Sequence, residues 1–213
     1  MPSANDLDAV TVDAMGTVVE LADPVPRLQD ALSRRGEQHD PDPVRDAFAA
    51  EVAYYVPRAH EGRDPESLAA LRVACAAVFL EALGAELDAD EFAPAFAGAL
   101  AFRPLDGAQR SLARLRAAGL ALACVSNWDL SLAEYLEEAG LAHHFDTVVS
   151  SAEAGAPKPD EAVFRVALER LGVEPGRALH VGDGEGDRRG AAAAGLAFEP
   201  TPLATLPERL GIS

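Results

Sequence analysis

At 213 residues the chain is long enough to bury a substantial core as one large or two small domains. Its 49% apolar and 25% charged composition is that of an ordinary globular protein, and a net charge of −17 leaves no basic face to hold a nucleic-acid backbone. No segment approaches about 18 uninterrupted apolar residues, and the opening MPSANDLDAV has no basic region ahead of an apolar core, so no membrane association is expected and the anticipated location is cytoplasmic.

The first predicted element is the apolar run Ala9–Val12, continuous rather than alternating, as in a parallel strand covered on both faces. It stops at Asp13, and Gly16-Thr17 then turns the chain. From roughly Leu21 to Arg103 the pattern is helical and predicts no strand. Asp23-Pro24, Asp42-Pro43 and Asp64-Pro65 each set an N-cap acid before a proline suited to the first turn, and Asp88 with Glu91 gives a fourth helix start. His39 is expected to be exposed. The stretch AYYVPRAHEGRD gathers Tyr54, Tyr55, Arg58, His60 and Arg63 at a helix end and loop. It reads either as an aromatic anchor followed by a solvated loop, or as an Arg and His lid over an anionic substrate.

From about Pro104 strand and helix alternate. Helices predicted over Gly107–Ala118, Leu130–Ala139 and Asp160–Leu171 stop at Gly119, Gly140 and Gly172. The strand runs Leu120–Val125 and Ala178–Val181 end at Ser126-Asn127 and Gly182-Asp183, while His143-His144 fall in a helix-to-strand turn. The expected fold is α/β: a Rossmann-like doubly wound parallel sheet from residues 1–20 and 104–213, interrupted by an all-helical domain over 21–103. Cys75 and Cys124 each sit in an apolar run and read as buried free thiols.

Open parallel sheets bind ligands outside the carboxyl ends of their strands, and Asp13, Ser126 and Asp183 all stand at such ends. Lys158 is the only lysine among 18 basic residues, a bias that is compositional unless this position needs an ammonium rather than a guanidinium. Each motif alone has a plain structural reading: D-x-x-G-T is a turn, Ser-Asn a helix cap, Lys-Pro a loop, and G-D-G-x-x-D a helix start with acids on its dipole. In this order and spacing, however, DAMGT, CVSNWD, SSAEAGAPKPDEAVF and HVGDGEGDRRGA resemble the four sequence motifs of the haloacid dehalogenase-like hydrolase superfamily. The resemblance runs from Asp8 to Gly195 apart from the helical insertion, which sits where that family carries a helical cap.

The resemblance implies a role for each matched residue. Asp13 would be the nucleophile, forming an aspartyl-phosphate that splits one displacement into two. Mg²⁺ would be held by the Asp13 carboxylate, the backbone carbonyl of Met15 and Asp183, with Asp187 either a ligand to metal-bound water or a partner for Lys158. The Ser126 hydroxyl, the Asn127 amide and the Lys158 ammonium would meet the phosphoryl oxygens. Thr17 would lie at the substrate, and in the lid reading of AYYVPRAHEGRD, which the motifs do not cover, Arg58 and His60 would contact the anionic substrate, with His60 able to supply a proton near neutral pH. The implied partner is a small phosphorylated molecule, and the protein is expected to be a monomer or homodimer.

One position departs from the pattern. Phosphatases of this superfamily usually carry a second Asp two residues after the nucleophile, to protonate the leaving oxygen and then activate water, and here that residue is Met15. Acid–base assistance is worth about 10²–10⁴ in rate. The phosphonate-hydrolysing branch instead uses a cap lysine, which a chain with no lysine beyond Lys158 excludes. The 2-haloacid dehalogenases also lack the second acid, but they usually carry an aromatic residue there, a Ser-Ser-Asn segment in place of Gly-Asp, and a tyrosine where Phe164 stands. The retained Asp183 therefore ranks metal-dependent phosphoryl hydrolysis above dehalogenation. A non-catalytic member that binds a phosphorylated ligand is the third reading, although binding alone needs no nucleophile, metal site and lysine together. The expected substrate is an activated phosphate, aryl or acyl, whose leaving group needs little protonation.

Overall fold

The structure is a computed structural model and describes residues 3–212. In chain order its regular elements begin with β1 (Ala9–Val12), β2 (Val19–Leu21), α1 (Val25–Ser33), α2 (Pro41–Tyr55), α3 (Pro65–Leu83) and α4 (Ala89–Ala99). They continue with β3 (Phe102–Pro104), α5 (Ala108–Ala117), β4 (Ala121–Ser126), α6 (Leu132–Glu138), β5 (Thr147–Ser150) and α7 (Ser151–Ala154). The last are α8 (Ala162–Leu171), β6 (Ala178–Gly182), α9 (Glu185–Ala193), β7 (Ala197–Pro200) and α10 (Leu206–Arg209). The chain divides into two compact units, one running up to Glu20 and from Phe102 onward, the other Leu21–Ala101.

In the first unit five strands form a parallel sheet in the order β5-β4-β1-β6-β7. The first strand lies at the centre and later strands add on both sides, which is the doubly wound arrangement. Register sets the strand tips level, with Val12 opposite both Cys124 and Val181, so the residues that follow them share one edge of the sheet. Side chains alternate between the faces. Val10, Val12, Leu122, Cys124, Leu179 and Val181 pack with Leu112, Leu115, Leu132 and Leu136 on one side. Ala9, Ala123, Val125 and Ala178 pack with Val163, Phe164, Ala167 and Ala191 on the other. Helices over both faces are the reason the strand runs are apolar at every position. The exceptions are Thr11 and His180, paired in register on the second face and both fully buried.

β2 and β3 form a separate two-stranded ribbon, extended by a Leu105 N–H to Val18 C=O hydrogen bond of 2.9 Å. No strand was expected from Leu21 to Arg103, yet Leu21 closes β2 and Phe102-Arg103 open β3. Strands this short carry too few side chains to display a period.

The second unit is helical and has its own core, in which Phe79, Phe92 and Phe96 pack together with Leu28, Leu32 and Val44. Asp64 caps α3 by accepting the Ser67 N–H at 2.8 Å, and Asp88 caps α4 by accepting the Glu91 N–H at 3.0 Å. At α1 the Asp23 carboxylate accepts the Val25 N–H at 3.1 Å. The expected start of α2 at Asp42-Pro43 is corrected: the helix begins one dipeptide earlier, with Asp40 as N-cap and Pro41 as the first residue. In HDPDPV either proline suits a first turn, and the earlier start leaves Asp42 free to pair with Arg45. His39 is half-buried rather than exposed, because its Nε2 meets the Glu37 carboxylate at 2.9 Å. Among the described residues no helix is long and apolar enough to cross a membrane.

Candidate active site

Asp13 is the first residue beyond β1, and its own N–H continues the sheet by donating to Val181 C=O at 2.9 Å. That bond fixes the backbone of a residue that is only 6% exposed. Its Oδ1 accepts from Ser126 Oγ at 2.8 Å and from Lys158 Nζ at 2.6 Å. No donor among the described residues is recorded at Oδ2. The turn after Asp13 requires glycine at position 16, where φ is +74° and a Cβ would lie 2.3 Å from Asp183 Oδ2. Gly182 likewise has no room for a side chain, since a Cβ there would lie 2.4 Å from Asp187 Cγ. Gly16 thus lets the β1 loop approach Asp183, and Gly182 lets Asp187 fold back over the end of β6.

Lys158 is buried, and its ammonium has its donors occupied: Asp13 Oδ1 at 2.6 Å, Asp187 Oδ1 at 2.6 Å and Val125 C=O at 3.1 Å. Burial alone pushes the ammonium pKa down, but the charges and hydrogen bonds of Asp13 and Asp187 outweigh it and hold Lys158 above its ordinary value. Asp187 is also buried and loses solvation, yet the hydrogen bond from His180 and the charge of Lys158 keep its carboxyl well below the usual range. Asp183 behaves in the opposite way. Partial desolvation, then the negative charges of Asp13 and Asp187, raise its pKa.

One carboxylate oxygen from each of Asp13, Asp183 and Asp187 lies within 4.8 Å of the others. Among the described residues Lys158 is the cation paired with this group, touching Asp13 and Asp187, so three carboxylates face one ammonium. Two negative charges are left over, and hard oxygen donors with that excess suit a divalent cation such as Mg²⁺.

The other expected site residues fall in different settings. Met15 follows in the Asp13 loop, bridged to Val19, with its side chain 38% exposed. Asn127 does not present its amide to an open position. Its Oδ1 accepts the Lys158 N–H at 2.6 Å and its Nδ2 donates to Lys158 C=O at 3.1 Å, so it grips the lysine backbone on both sides. Thr17 is 2% exposed, and its hydroxyl has no hydrogen-bond partner among the described residues. Arg58 and His60 belong to the helical unit, on the turn Val56–Glu61, where Arg58 lies over the Tyr54 ring at 4.2 Å and donates to Tyr54 C=O at 2.9 Å.

Two residues of the network were not anticipated from sequence. His180 Nε2 meets Asp187 Oδ1 at 2.9 Å, and its Nδ1 lies 2.9 Å from Thr11 Oγ1 and 3.1 Å from Thr11 C=O. The available signal was a histidine inside the otherwise apolar strand ALHVG. Full burial and the nearby Lys158 charge lower its pKa, the Asp187 contact opposing.

A profile described as haloacid dehalogenase-like hydrolase matches residues 7–195. The haloacid dehalogenase-like hydrolase domain-containing protein 3 of Mus musculus is 43% identical over 109 residues, covering 51% of this chain and 43% of that protein. A phosphoserine phosphatase of Thermus thermophilus is 46% identical over 126 residues, covering 56% of this chain and 51% of that one. The matches thus span about half the length of these curated relatives. Among solved structures, a HAD phosphatase from Thermococcus onnurineus has a TM-score of 0.65 and 25% identity, covering 97% of this chain and 99% of its own. The L-2-haloacid dehalogenase from Xanthobacter autotrophicus also has a TM-score of 0.65, with 26% identity over 97% of this chain and 84% of its own. With the profile spanning most of its length, and the four motifs meeting at one edge of the sheet, the chain belongs to the haloacid dehalogenase-like hydrolase family.

Proposed function

We propose that the chain is a Mg²⁺-dependent phosphatase that works through an aspartyl-phosphate at Asp13 on a small phosphorylated metabolite with a good leaving group. In this reading the Leu21–Ala101 unit is its cap. The observation that carries it is the uncompensated charge of Asp13, Asp183 and Asp187 opposite Lys158. Asp13, Asp183 and the Met15 carbonyl would hold the ion, with Asp187 beside them. When bound, the ion would neutralise phosphoryl oxygens that three carboxylates would otherwise repel.

The protein groups supply the rest. Ser126 and Lys158 both donate to Asp13 Oδ1, which orients the carboxylate and leaves Oδ2 to attack phosphorus. As the new O–P bond forms, the bond to the leaving oxygen breaks and its electron pair departs with that oxygen. Met15 offers a thioether where a proton donor would help, so the reaction favours leaving groups stable as anions. Water then attacks the phosphorus of the aspartyl-phosphate, releasing phosphate and restoring Asp13. With a thioether at Met15 where a base would activate that water, this second step is slow. Asn127 acts by holding the Lys158 backbone rather than by touching substrate.

Similarity to a 2-haloacid dehalogenase and the absent second acid favour a second reading, halide displacement by the same Asp13. A 2-haloacid is itself a carboxylate, however, and would enter beside two uncompensated negative charges. The deciding experiment assays a panel of aryl, acyl and alkyl phosphates and 2-chloropropionate, with Mg²⁺ and with EDTA. Phosphate release that EDTA abolishes is expected, and chloride release that survives EDTA would sink the phosphatase reading.

A further inference from the structure

We propose that His180 is a positioning residue, braced by Thr11, whose Nε2–H fixes the Asp187 oxygen that presents Lys158 to Asp13. The geometry is a chain of buried contacts: Thr11 Oγ1 to His180 Nδ1 at 2.9 Å, His180 Nε2 to Asp187 Oδ1 at 2.9 Å, Asp187 Oδ1 to Lys158 Nζ at 2.6 Å, and Lys158 Nζ to Asp13 Oδ1 at 2.6 Å. Asp187 Oδ1 can only accept, so the nitrogen facing it carries the hydrogen, while Nδ1 on the other side of the ring is held between the Thr11 hydroxyl at 2.9 Å and Thr11 C=O at 3.1 Å. Phe164 packs edge-on against the same ring at 4.8 Å and prevents it from turning away.

Packing gives no reason for a histidine here. The layer around position 180 holds Ala9, Val125, Phe164 and Ala178, where an aliphatic residue would fill the space without needing hydrogen bonds. Position 11 is likewise polar in an apolar strand, and it stands directly opposite position 180 in the β1–β6 register. Asp187 has a second constraint, the Gly184 N–H donating to its Oδ2 at 3.2 Å. Together the two bonds lock both carboxylate oxygens, and Lys158 is placed by whichever way that carboxylate points.

The sole lysine of the chain makes the test specific, because protein labelled with lysine ¹⁵N at Nζ gives one side-chain ammonium signal, that of Lys158. The readout needs neither metal nor substrate, so it stands or falls independently of the phosphatase reading. In the wild type the buried ammonium should exchange slowly with water and give a sharp signal. In His180→Leu it should broaden, and in His180→Gln, whose amide nitrogen can reach Asp187, it should sharpen again. On an aryl phosphate kcat should fall about 10–100-fold in His180→Leu and recover in His180→Gln. A sharp signal in His180→Leu, or equal loss in the Leu and Gln variants, would overturn the proposal by reducing His180 to a space-filler. Should His180→Leu not fold, Thr11→Val decides: the lysine signal must broaden in Thr11→Val, and an unchanged signal refutes the brace.

Discussion

Met15 is the residue at which this chain departs from the motif pattern it resembles. Its side chain is 38% exposed in the same loop as Asp13, so an acid introduced there would meet water and substrate rather than core. Met15→Asp should therefore raise kcat/KM on alkyl phosphates, approaching the roughly 10²–10⁴-fold worth of acid–base assistance, and raise it much less on aryl phosphates, whose leaving oxygens need no proton. Comparing the two substrate classes in one variant separates proton supply from a general change in the site. An unchanged alkyl rate would mean that another group already delivers the proton. Lys158 and Asn127 illustrate a different point at this scale. Sequence identified both as phosphate contacts, but only the lysine side chain reaches Asp13, and the amide is consumed in holding the lysine backbone. Which way a short polar side chain turns at a strand end depends on loops far away in sequence, and no local pattern records it.

At the scale of elements, the three strands that carry the site were legible because each is covered on both faces and therefore apolar at nearly every position, Thr11 and His180 apart. Helix ends were legible where glycine terminates them, as at Gly172 with φ +66°, or where an Asp caps them, as at Asp64. The β2–β3 ribbon was not, being too short to show alternation, and the doubled Asp-Pro before α2 left two starts that only packing could separate. Neither did the pattern reveal Glu51, a buried acid in α2 whose carboxyl accepts a hydrogen bond from Cys75. Burial raises its pKa above the ordinary 4.5. A carboxyl shifted upward favours the folded state while both states are protonated, and that contribution is lost as pH rises through the folded value. Glu51→Gln should accordingly gain thermal stability over wild type at pH 7, with the difference shrinking as pH falls toward 4 in parallel melting curves. A Tm difference that grew toward acid pH would mean that the buried carboxyl is stabilised in its charged form.

For the whole molecule, a net charge of −17 and an acidic site set the same requirement. An anionic substrate approaches against the field of the protein, and a divalent cation is drawn in by it. Family membership accounts for the sheet, the strand-end site and the hydrolase chemistry, while the missing second acid predicts that the covalent intermediate outlives its formation. The most direct measurement is therefore intact-protein mass spectrometry after rapid mixing with Mg²⁺ and an aryl or acyl phosphate, followed by acid quench. One added phosphoryl group, present during turnover in the wild type and absent in Asp13→Asn, is the predicted result. Phosphate release with no adduct on the wild-type chain at any time point during turnover would contradict it.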